Sequence, residues 1–152
     1  MSGALPVGLQ RRIRDEIKAI WAARWPAGIA TPVVWRENAG STDTGPDPTA
    51  GGRFLDLEVD FGVERVRAFG GGRGQAERLK FGSVLIRVLT VTGEGDDEAL
   101  DLMSAAEAVF RSQRVGALSF IGSISGFDES RATSGNWFQR ASMAAWEYRF
   151  RG

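Results

Sequence analysis

Two stretches of the chain hold residue types that could do chemistry. In FLDLEVDF, residues 54–61, Asp56, Glu58 and Asp60 lie two apart, and on an extended chain that spacing sends all three to one face. Carboxylates hydrolyse glycosidic and related bonds when their surroundings split their pKa values, one serving as acid and the other as base or nucleophile. A single strand face supplies neither an opposing acid nor a desolvated pocket, so a carboxylate hydrolase is disfavoured. The expected role of these acids is a solvated face, a subunit contact, or the lining of a channel.

The second stretch is RAFGGGRGQAERLKFGS, residues 67–83, with four glycines within 70–74 and basic residues at Arg67, Arg73, Arg78 and Lys80, and Arg65 just before it. A dinucleotide-binding loop needs G-x-G-x-x-G between a strand and a helix. Counted from Gly70 the third glycine falls at Gln75, and from Gly72 it falls at Glu77. A phosphate loop ending in Gly-Lys is absent, since no such pair occurs in the chain. The segment also leads into a strand, so no helix N-terminus follows to hold an anion. A small nucleic-acid or phosphate-binding module using residues 65–80 is the alternative. Glu64 and Glu77 dilute its charge, and Phe69 and Phe81 are the only rings placed to stack on bases. The simpler expectation is a mobile hairpin tip, kept flexible by glycine and soluble by charge, that orders against a protein partner.

The absences narrow the choice further. The 152 residues include no Cys and no His, which removes thiolate chemistry, disulfides, the commonest general base and the commonest transition-metal ligand. Lys plus Arg and Asp plus Glu both number 19, so electrostatic function must come from local segregation. No enzymatic activity and no cofactor are expected. Charges sit where a signal peptide would need its apolar core, and no apolar run reaches the length of a membrane span. A soluble protein made in the cytoplasm, without membrane contact, is expected.

The elements that must position these residues follow from periodicity. Residues 5–25 place Leu9, Ile13, Ile17, Ile20, Trp21 and Trp25 at spacings of three and four, one face of an amphipathic helix. Arg11–Asp15 and Arg12–Glu16 are placed to pair on its outer face. A short strand is expected at 33–37, then a turn-rich loop over 38–52. The acidic strand spans 54–61, a second flexible loop 68–79, and an apolar strand 81–92 that should lie centrally and be covered on both faces. A second helix opens at Asp96, Asp97 and Glu98, with acids at the positive end of its dipole, and buries Leu100, Met103, Ala106, Val109 and Phe110. Arg111 and Arg114 close its basic end. Short strands at 117–121 and 124–127, a polar turn at 128–136 and a terminal strand at 137–151 complete the chain. The order α-β-β-β-α-β-β-β makes a single α+β domain, an antiparallel or mixed sheet with two helices on one face.

Laid out in this order, the chain resembles the tail-terminator proteins of long-tailed phages, prophages and gene-transfer particles. Three blocks carry the resemblance: the basic amphipathic helix followed by a strand with Trp35; KFGSVLIRVLTVTGEGDDEALDLMSAAEAVF; and SGNWFQRASMAAWEYRF. The resemblance implies a virion structural protein that assembles as a homo-hexameric ring on the head-proximal end of the tail tube. There it would end tube polymerisation and dock the head-completion or neck protein. DNA would meet it only in transit through the lumen. On that reading Arg65, Arg67, Arg73, Arg78 and Lys80 contact the tube or another partner. Asp56, Glu58 and Asp60 line the lumen or a subunit interface.

Overall fold

The alternation of residues 54–61 is the first half of a strand twice as long as its apolar pattern. The computed structural model describes residues 6–36, 53–68, 74–91, 97–132 and 137–152. Within them α1 spans Leu9–Arg24, β1 Val33–Trp35, β2 Arg53–Ala68 and β3 Glu77–Val91; α2 spans Asp97–Phe110, β4 Arg114–Val115, β5 Leu118–Ala132 and β6 Trp137–Arg151. The strands form one six-stranded mixed sheet in the order β1-β2-β3-β6-β5-β4. β1 runs parallel to β2, and every other pairing is antiparallel. This is the expected α+β class.

The period-two pattern decides which face the helices cover. Leu55 pairs with Val88, Leu57 with Ile86 and Val59 with Val84; Val84 then pairs with Ala144 and Gly82 with Trp146. These residues, with Ile13, Ile17, Ile20 and Trp21 of α1 and Met103, Ala106, Val109 and Phe110 of α2, form one apolar core. Trp21 links the layers: it stacks on Trp25 at 4.5 Å, meets Trp35 edge-on at 6.2 Å and lies 5.8 Å from Phe110. Phe110 in turn stacks on Phe120 of β5 at 4.8 Å. The helices are tied by a cap as well, because Arg24 Nε donates to the Val109 carbonyl at 3.0 Å, satisfying one of the orphan acceptors at the end of α2.

One position on β3 must be glycine. The Trp146 ring, fully buried, crosses β3 at Gly82 and meets Phe61 edge-on at 5.8 Å. A Cβ at residue 82 would stand 2.6 Å from Trp146 Cε2 and overlap both Trp146 Cζ2 and the Asp60 carbonyl oxygen.

Several expectations need correction. The acidic strand does not stop at residue 61 and β3 begins at Glu77, so Arg65, Arg67, Arg78 and Lys80 lie on hairpin strands; of the loop expected at 68–79, residues 69–73 lie outside the described residues. The strands expected at 117–121 and 124–127 are one strand, β5, which runs on through the supposed polar turn at 128–136 as far as Ala132. In both places cross-strand pairing carries polar residues that local pattern assigns to loops. Leu100 is exposed and Arg114 belongs to β4. Arg11 reaches Asp15 at 4.0 Å, but Arg12 and Glu16 make no ion pair among the described residues. β3 is central, as expected, yet only one face is covered by helices. On the other, Phe54, Leu89 and Val34 form a small apolar cluster of their own. The expected loop at 38–52 lies outside the described residues.

Candidate functional site

The three acids of β2 share a strand face but not an environment. Asp56 is 1% exposed. Its Oδ2 accepts from Arg36 Nη2 at 2.6 Å and Nε at 3.1 Å, a fork that suits a carboxylate. Directly opposite in the ladder stands Arg87, whose Nη1 lies 3.5 Å from Asp56 Oδ2 and donates to Glu58 Oε2 at 3.1 Å. Asp56 is therefore a buried ion-pair centre, not part of a solvated row, and it is withdrawn from any channel lining. Glu58 is half-buried and paired, and Asp60 alone is exposed. The sequence held one signal of this arrangement. Arg87 is the single charge inside the apolar run VLIRVLTV, and a cation in a central strand needs an acid beside it.

Partial desolvation raises the Asp60 carboxyl above its ordinary value, Glu58 adds to the rise and Arg87 opposes it. A folded-state pKa above the unfolded one means that the native protein binds more protons just above pH 3.8, so Asp60 subtracts stability as pH rises through that window. Asp60→Asn is thus expected to be as stable as the wild type at pH 7 or slightly more so, by less than about 0.5 kcal/mol. The gap should narrow toward pH 3; thermal melts at both pH values check it, and a gap that widens on acidification would contradict the sign.

The basic segment is laced with acids. Arg67 Nη1 donates to Glu77 Oε1 at 3.0 Å, and Arg149 of β6 reaches the same oxygen at 3.3 Å. Arg78 lies 3.5 Å from Glu64 and donates through Nε to the Gly152 carbonyl at 2.9 Å. Lys80 stands opposite Glu64 on one side and Tyr148 on the other. Arg65 has no carboxylate partner among the described residues, and its guanidinium sits 5.9 Å from the Phe81 ring centre. Arg73 lies outside the described residues. Cross-strand ion pairs of this kind hold a hairpin in register.

A pocket that the sequence did not announce opens between the end of α2 and the start of β5. It measures about 160 Å³ and is lined by Glu107, Phe110, Arg111, Phe120 and Ala144 among others. Glu107 is 9% exposed. Ser142, fully buried on β6, donates to its Oε1 at 2.7 Å, and Arg111 lies 3.8 Å from Oε2. No group of three or more acids that could hold a metal ion occurs among the described residues, and no helix among them is long and apolar enough to cross a membrane.

No family model matches the chain, and no curated protein does. Nine chains among solved structures match. One of them superposes with a TM-score of 0.55 at 20% identity, covering 90% of this chain and 96% of its own. At that identity the likeness concerns the fold alone.

Proposed function

We propose that the protein caps a phage-like tail tube as a ring, ending polymerisation and presenting a docking surface to the head-completion or neck protein. The observation that best supports this reading is the far half of the β2–β3 hairpin. From Gly62 to Ala68 every residue of β2 is exposed, yet the arm keeps its charge ladder and carries Val63 at 60% and Val66 at 38% exposure. A rigid, charge-patterned arm with exposed aliphatics suits a protein partner better than a small molecule. In such a ring Glu58 and Asp60 are the acids left to face DNA in transit, on the sheet face without helices. The intermixed signs on the arm do not favour the nucleic-acid alternative.

The test is to polymerise the cognate tail-tube protein with and without this chain. Capped tubes of restricted length, with a ring at one end in electron micrographs, are expected. Deletion of residues 70–75, which lie between β2 and β3 in the chain, should move the melting temperature by no more than about 2 °C and abolish capping. Tubes of unchanged length in the presence of folded wild-type protein would sink the proposal.

A further inference from the structure

A second cavity opens beside the turn that joins β4 to β5. It measures about 280 Å³ and is lined by Arg114, Gly116, Ala117, Ser119, Glu147 and Arg149. The strand register explains why charges of both signs meet there. Ser119 stands opposite Arg114 on one side and Glu147 on the other, and directly opposed residues share a face of the sheet. Arg149 follows Glu147 by two residues on β6, so it joins the same face. The walls are fixed by backbone. Gly116 turns at φ 58°, in the left-handed region open to glycine, and the Arg149 amide donates to the Ala117 carbonyl at 3.0 Å, tying the turn to β6.

Both arginines are held through Nε. Arg114 Nε donates to Ser119 Oγ at 3.2 Å, and Arg149 Nε lies 3.3 Å from Glu77 Oε1. A guanidinium positioned in this way presents its Nη donors as a fork, the geometry that suits a carboxylate. Glu147 is half-buried and takes part in no ion pair among the described residues, although two guanidinium groups line the same cavity. Its oxygens are acceptors in want of a donor. We infer that this cavity binds a small zwitterion, an α-amino acid, with its carboxylate on Arg114 and Arg149 and its ammonium on Glu147. An inorganic anion would satisfy the arginines but meet the Glu147 charge, and a simple cation would do the reverse. A ligand with both charges on one short frame satisfies all three groups together. Among the lining residues only Ala117 brings an apolar side chain, so a small or polar amino acid suits the site better than a long aliphatic one.

Titration calorimetry of the full chain with glycine, L-alanine and L-serine at neutral pH tests this. At least one of the three should bind saturably, with a Kd of about 1 mM or tighter. Sodium acetate and methylammonium chloride, which carry one charge each, should bind at least about ten-fold more weakly. Glu147→Gln should weaken the amino acid about ten-fold or more and leave acetate unchanged, whereas Arg149→Gln should weaken both. Arg114→Gln serves in place of Arg149→Gln if circular dichroism shows the latter misfolded. The inference is overturned if folded wild-type protein binds none of the three amino acids saturably up to about 20 mM. It is equally overturned if acetate binds as tightly as the amino acid, which would mark a site for anions alone, or if folded Glu147→Gln binds the amino acid as the wild type does.

Discussion

Asp56→Lys is expected to unfold the protein at ambient temperature. The carboxylate it removes is buried and holds two guanidinium groups, Arg36 through a fork at 2.6 and 3.1 Å and Arg87 at 3.5 Å. Removing the acid of a buried ion pair costs about 3–5 kcal/mol. A lysine adds a third cation in the same place, so the loss should exceed about 5 kcal/mol, which approaches the whole stability of an ordinary domain. Glu58→Lys and Asp60→Lys should cost far less, since the first residue is half-buried and the second exposed. Urea denaturation followed by circular dichroism separates the three. An Asp56→Lys protein that melts within about 3 °C of the wild type would show that the ion-pair centre contributes little.

Gly82→Ala should be the most damaging single-methyl addition in the sheet. The added Cβ meets a buried indole on one side and a strand carbonyl on the other, at distances that real Cβ atoms essentially never show. Neither neighbour can yield freely: Trp146 is packed against Phe61, and the Asp60 carbonyl belongs to the β2 backbone directly beside β3. Overpacking of this kind costs about 1–3 kcal/mol when side chains can shift and more when backbone must move, so about 3 kcal/mol or more is expected. In a protein of this size that lowers the melting temperature by roughly 10 °C. Gly122→Ala is the control, because a Cβ there meets nothing within 4 Å. If differential scanning calorimetry finds the two variants equally stable, the packing of Trp146 across β3 is not as described.

The sequence by itself determined the class of fold and the core faces of α1, of the first half of β2 and of most of α2. Those properties depend on local period: Leu55, Leu57, Val59 and Phe61 alternate, and Ile13, Ile17, Ile20 and Trp21 recur at helical spacing, whatever lies elsewhere in the chain. Tertiary structure decided what period does not encode. The strands extend to Ala68 and Ala132 because a neighbouring strand supplies hydrogen bonds to residues whose own propensity is for turns. Asp56 is buried because β1 and β3 bring Arg36 and Arg87 to it from 20 and 31 residues away. Asp60, four residues further along the same face, stays in water. The pocket at Glu107 joins α2, β5 and β6, and no short stretch contains it. Local pattern reports which way a side chain points, while burial and pairing of a charge depend on which strand arrives beside it, and that is set by the fold as a whole.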